Sequence, residues 1–172
     1  MGTISTGDEA PNFDLTSTED ALLMLRDEII QNAVVLFFFA DPESDGARRD
    51  LDALNNSLRD LAKEKTRILA ISPAKIEALK KVQLERKLLF PLLHDDRDFA
   101  AKYGVVPPAE GQPAAAALAV VSRKQKILWL ANPIASVAGA IPEILRLLKA
   151  LPSPTASYPR KVINRLVDRW VN

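Results

Sequence analysis

AVVLFFFADPESDGARRDLDALNNSLRDLAKEKTRILAIS, residues 33–72, decides how the chain folds. Its first part, VVLFFFA (34–40), is an unbroken β-branched and aromatic run. A strand with one wet face would alternate, so this one is expected to be covered on both. In the middle, Leu51, Leu54, Leu58 and Leu61 recur at three- and four-residue intervals, which predicts a helix beginning near Ser44 or Asp45. TRILAIS (66–72) closes the unit as a second strand. Strands alternating with helices in this way point to an α/β domain.

The pattern continues on both sides. TEDALLMLRDEI (18–29) has helical spacing with Thr18 as its N-cap, and AKIEALKKVQLERK (74–87) is a charged helix with Pro73 in its first turn. LLFPLLHD (88–95) is extended, DDRDFAAKYG (95–104) is a short helix closed by Gly104, and VVPPAEGQP (105–113) is a loop. AAALAVVS and KILWLA, separated by SRKQ, read as a hairpin. SVAGAIPEILRLLKAL (136–151) is a helix with Pro142 inside its pattern, so a start near Pro142 is an alternative. The expected class is α/β, a mixed sheet flanked by helices on both faces.

Composition narrows the function. With 172 residues, 48% hydrophobic, the chain is long enough for one domain with a sizeable core. Lys plus Arg is 23 against Asp plus Glu 22, so nothing global attracts nucleic acid or a membrane. No basic patch is interleaved with aromatics, and the six glycines show no phosphate-loop spacing. No run approaches the roughly 20 apolar residues that span a bilayer. The start MGTISTGDEAPNFDL lacks a secretory pattern, so a soluble cytoplasmic protein is expected. There is no cysteine, hence no disulfide and no thiolate.

Few residues carry candidate chemistry. His94 is the one histidine, followed by Asp95 and Asp96. Neighbours on an extended segment point apart, and capping of the next helix explains the acids, so neither a metal nor another cofactor is expected. Asp41, Glu43, Asp45, Asp50 and Asp52, with Arg48 and Arg49 among them, read as a solvated helix start.

Several segments together resemble a peroxiredoxin of the AhpC/TSA group, particularly its bacterioferritin-comigratory type. GDEAPNFDLTSTE (7–19) resembles the family's opening, FPLLHDDRDFAAKYGVV (90–106) its FPLLSD-type strand and YGV element, and ALAVVSRKQKIL (117–128) its late hairpin. LFFFADPESDGARRD (36–50) stands where the family has its active loop. The resemblance covers roughly residues 7–150 and implies a thioredoxin-like fold. It also implies chemistry through P-x-x-x-T-x-x-C and a distant arginine, in which a thiolate attacks the peroxide.

Carried over residue by residue, the proline position holds Ala40, the hydroxyl position Ser44 and the cysteine position Ala47. The arginine position falls on Ala116, give or take one; the acid three after the cysteine survives as Asp50, and an optional resolving cysteine would be Asp52. A single engineered change would leave the proline and arginine in place, so the joint absence argues for natural loss. The resemblance thus implies a pseudoenzyme without thiol peroxidase activity, acting through protein binding as a structural, regulatory or assembly factor. The alternatives are cysteine-independent chemistry through Ser44, Asp50 and His94, or a homodimer module.

The domain is placed at 1–150, followed by a Pro-rich connector and an extra C-terminal amphipathic helix at 151–172. In RKVINRLVDRWVN, Val162, Ile163, Leu166, Val167, Trp170 and Val171 make one stripe, and Arg160, Lys161, Asn164, Arg165, Asp168 and Arg169 the other. A helix this short needs something to dock on. Arg160, Val162, Ile163, Arg165, Leu166, Val167, Arg169 and Trp170 are therefore candidates for contact with the domain itself, a protein partner or a second copy. Protein docking is favoured over a membrane surface, because three net positive charges anchor weakly.

Overall fold

The structure is a computed structural model, described here for residues 4–105 and 116–151. The expected loop at 105–113, apart from its first residue, and the tail helix lie outside the described residues.

Seven strands form one sheet among the described residues, in the order β2-β1-β5-β4-β3-β6-β7. They are β1 (Asp14–Ser17), β2 (Leu22–Met24), β3 (Ala33–Phe38), β4 (Thr66–Ser72), β5 (Leu92–His94), β6 (Ala117–Val121) and β7 (Ile127–Ala131). β3, β4 and β5 run parallel, while β1, β6 and β7 pair antiparallel with their neighbours. Mixed pairing and two covered faces are as expected for a thioredoxin-like α/β domain.

β3 shows why its sequence does not alternate. Ala33, Val35 and Phe37 enter the core on one face, and Val34, Leu36 and Phe38 enter the core on the other. Each large side chain buried this way contributes roughly 1.5–3 kcal/mol. The first core lies under α2 (Asp45–Asn56), α3 (Leu58–Lys63), α4 (Ile76–Glu85) and α5 (Val137–Lys149). The second lies under the amino-terminal stretch, α1 (Leu25–Glu28) and a 3₁₀ turn at Phe99–Tyr103.

Local expectations are corrected at four places. The helix expected over 18–29 is instead a hairpin strand, β2, followed by the single turn α1. Ser17 Oγ accepts the N–H groups of Glu19 and Ala21, Asp20 takes a φ of 59°, and Leu22–Met24 then pairs with β1. Thr18 is no N-cap; its hydroxyl accepts the Leu92 N–H at 3.2 Å. The leucine-spaced helix is divided at Ser57, whose hydroxyl donates to the Ala53 carbonyl at 2.9 Å.

Pro73 precedes α4 rather than opening it, because Ser72 Oγ accepts the Ala74 N–H and holds a turn there. The helix of 95–104 shrinks to the 3₁₀ turn, closed by Gly104 at φ 77° as expected. α5 runs through Pro142 without a break. Ser136 caps its start by accepting the Gly139 N–H, and Pro142 forgoes only one bond of the ladder.

Candidate functional site

In open α/β sheets ligands meet the protein beyond the carboxyl ends of the parallel strands. Here that edge gathers Phe39 and Ala40 after β3, Ser72 at the end of β4 and His94 at the end of β5. It is also where α2 begins.

The loop into α2 is shaped by local hydrogen bonds. Asp41 Oδ1 accepts the Glu43 N–H at 2.9 Å, and Ser44 Oγ donates to the Asp41 carbonyl at 2.9 Å. Ser44 is extended and caps α2 by accepting the Ala47 N–H at 3.2 Å. Ala47 is therefore the third residue of the helix, and its methyl is 6% exposed within the apolar cluster that holds Phe37, Phe39 and Leu51. Across β3, Phe38 pairs with Ala117, which sets Ala116 one step further along, beside the Phe39 end of the strand. Ala116 packs against that same cluster.

Ala47 and Ala116 thus share one apolar cluster, Ser44 caps the helix that carries Ala47, and Ala40 follows β3 at the same sheet edge. The polar groups nearby are committed to backbone. Ser72 Oγ donates to the Ala40 carbonyl at 2.9 Å. Asp50, one turn beyond Ala47 and 4% exposed, accepts the Val137 N–H at 3.4 Å and lies 3.6 Å from Arg49 Nε. It ties α2 to the first turn of α5, where a carboxylate also favours the positive helix end.

His94 does not join them. Its Nδ1 lies 2.7 Å from the Ala74 carbonyl, which can only accept, so Nδ1 carries the proton. Among the described residues no hydrogen bond links His94 to Ser44 or Asp50. Asp95 turns inward and caps the 3₁₀ turn, accepting the N–H groups of Phe99 at 2.7 Å and Ala100 at 2.9 Å. Asp96 faces out to Arg97. No group of three or more metal-ligating side chains occurs among the described residues. Nor is any buried side-chain polar atom there without a partner.

The sequence reading missed the backbone-holding role of Ser72 and the reach of Asp50. A serine ending the apolar run TRILAIS was the available signal for the first. Arg160, Val162, Ile163, Arg165, Leu166, Val167, Arg169 and Trp170 lie outside the described residues.

A mixed sheet whose parallel strands end at a helix-capping loop defines a thioredoxin-like domain of the peroxiredoxin type. The family follows from comparison: the AhpC/TSA family model matches residues 6–130, and the chain belongs to that family. Peroxidoxin BcpB from Mycobacterium tuberculosis is similar in structure, with a TM-score of 0.78 and 23% identity over 86% of this chain and 98% of its own. A PrxQ mutant from Xylella fastidiosa gives 0.76 and 19% over 87% and 98%. Peroxiredoxin Q of Xanthomonas campestris gives 0.71 and 19% over 80% and 90%. At such identities these structures speak for the fold alone. No curated protein matches the sequence significantly. Among the described residues no helix is long and apolar enough to cross a membrane.

Proposed function

We propose that this chain is a cysteine-less peroxiredoxin-like pseudoenzyme that works in the cytoplasm by binding another protein, as a structural, regulatory or assembly factor. One observation carries the reading. The third residue of α2, where family members hold their nucleophile, is the buried methyl of Ala47.

Reduction of a hydroperoxide by a thiolate forms an S–O bond, breaks the O–O bond and releases hydroxide or alkoxide, which takes up a proton. The electron pair comes from sulfur. A methyl group has no such pair, and the chain has no cysteine to supply one from elsewhere. Ser44 is no substitute: its hydroxyl proton goes to the Asp41 carbonyl, and no base contacts it among the described residues. Alanine at 40 and 116 removes the shielding ring and the guanidinium that the family pattern would provide.

Peroxide consumption with a thiol reductant tests the catalytic half of this reading. The expected rate equals that of heat-denatured protein, and clear turnover above that control rejects it. Affinity capture from native extract with the whole chain tests the other half. A specific stoichiometric protein is expected on the bait, and its absence argues against a binding role. Cysteine-independent chemistry gains no support here, since Ser44, Asp50 and His94 each have separate backbone partners.

A further inference from the structure

Charges that balance along the sequence are sorted by the fold. At the amino ends of β3 and β4, Ala33 pairs with Thr66, and Val34 pairs with Val121 of β6. The turns before β4 and after β6 therefore stand two strand spacings apart, about 10 Å, on one rim of the sheet. Residues 63–67 and 122–126 bring Lys63, Lys65, Arg67, Arg123, Lys124 and Lys126 to that rim, against Glu64 alone. The opposite rim, where β3 and β5 end, is the reverse. There 39–45 and 95–98 hold Asp41, Glu43, Asp45, Asp95, Asp96 and Asp98 against Arg97 alone. A chain of net charge +1 thus carries two poles.

Neighbouring acids neutralise the basic rim only in part. Glu28 pairs with Arg67, and Asp60 lies 4.0 Å from Lys63 with both side chains largely in water. Glu9 meets Lys126 through a backbone bridge. Lys65, Lys124 and Lys126 are exposed and form no ion pair among the described residues.

Both turns are fixed by hydrogen bonds. Ala33 N–H donates to the Lys65 carbonyl at 2.9 Å. Ser122 Oγ accepts the N–H groups of Lys124 at 3.2 Å and Lys126 at 3.1 Å, and Gln125 Nε2–H donates to the Ala10 carbonyl at 2.8 Å. Cations on turns already held in place lose little backbone freedom on meeting a partner. Ile30, three residues before Ala33, is 49% exposed and offers an apolar contact at the same end. Glu9 and Glu64 remain among the cations, where a uniformly anionic surface such as a bilayer or a nucleic acid would be repelled by them. A protein can answer them with cations of its own.

We propose that the rim of Ile30, Lys63, Lys65, Lys124 and Lys126 is the docking surface for an acidic segment of a partner protein, with an apolar side chain of that segment against Ile30. This rests on the protein-binding reading above and gives it a surface and a partner chemistry. The acidic rim repels the same segment, so the end that carries Ala47 faces away from the partner.

A fluorescein-labelled Glu-rich peptide with one central leucine is the probe, read by anisotropy against the full-length chain. Saturable binding is expected, about five-fold weaker or more at about 200 mM salt than at about 50 mM. Lys65→Glu with Lys124→Glu should weaken it about ten-fold or more, whereas the same charge reversal at Lys75→Glu with Lys80→Glu on α4 should change it less than about two-fold. Ile30→Ser should weaken the leucine peptide about three-fold and leave a peptide with serine in its place unchanged. No saturable binding by folded protein, or an equal loss in both charge-reversed variants, overturns the proposal. So does tighter binding to phosphatidylserine vesicles or to an oligonucleotide than to the peptide. Should the double reversal unfold the domain, Lys65→Gln with Lys124→Gln decides, and an unchanged affinity overturns it. A protein captured from native extract that still binds the Lys65→Glu, Lys124→Glu variant overturns this surface while leaving the binding reading intact.

Discussion

After β5 and after β3 the chain meets the same task, leaving a strand at the same sheet edge and starting a helical turn. After β5, Asp95 gathers three backbone N–H groups, those of Phe99 at 2.7 Å, Ala100 at 2.9 Å and Arg97 at 3.3 Å. The FPLLHDD…YG features around it also hold structure together: Phe90 is buried, Tyr103 donates to the Pro11 carbonyl at 2.6 Å, and Gly104 takes the left-handed conformation. After β3, Ser44 closes the start of α2 and Asp50 clamps it to α5, but position 47 holds a methyl. What the two turns share is satisfaction of the backbone. What differs is position 47, which on the proposed reading is the place of the reactive group and which holds a buried alanine.

The comparison breaks most readily at Asp95. Because it is 4% exposed, Asp95→Ala leaves buried N–H groups without an acceptor and is expected to cost about 3–4 kcal/mol. A urea denaturation midpoint shifted by less than the Ser44→Ala shift would show that the β5 turn is not the stronger clamp.

Tyr103→Phe comes next, at about 1–1.5 kcal/mol near neutral pH, since the Pro11 carbonyl loses its donor. Burial pushes the Tyr103 phenol well above its ordinary 10.0. The unfolded phenol ionises near that ordinary value while the folded one keeps its proton. Stability from this group is therefore whole below about pH 10 and falls as pH rises further, by up to about 1.4 kcal/mol per unit. Tyr103→Phe lacks this loss, so its deficit against the parent should shrink above pH 10 in equilibrium unfolding. A deficit that stays constant to pH 11 or so would contradict the buried phenol.

Ser44→Ala removes one N-cap and is expected to cost about 1 kcal/mol, read from the same urea midpoint. The smallest effect is expected for the ion pair between Arg86 and Asp52 on the open groove between α2 and the end of α4. Its two side chains are partly open to water, where such pairs add little, so Arg86→Ala should leave the thermal midpoint within error. A clear shift there would mean that helix pairing, rather than the two turns, dominates this face.

Much of the fold is readable in the chain because β3, β4 and β6 are buried on both sides and carry continuous apolar runs. α2 is readable from its leucine interval and from Ser44. The hairpin at Asp14–Met24 is not, since helical spacing in ALLMLRDEI is overruled by the Ser17 turn and by pairing between strands. Ser57 shows the same limit inside a leucine-spaced helix, where a hydroxyl competes for a ladder carbonyl. At the site, α2 begins at Asp45 behind its Ser44 cap, where the leucine interval predicted a helix start. Asp50 meets Val137 across 87 positions, and no local pattern announces a bond of that range.

The stretch Asn132–Ile134 grips both ends of the segment between Gly104 and Ala116: Asn132 Nδ2–H donates to the Gly104 carbonyl at 2.8 Å, and Ile134 N–H donates to the Ala116 carbonyl at 2.8 Å. With both ends held by neighbouring residues, whatever joins them adds little closure entropy as it lengthens. Lengthening the connection between these two anchored residues is therefore expected to cost the fold little.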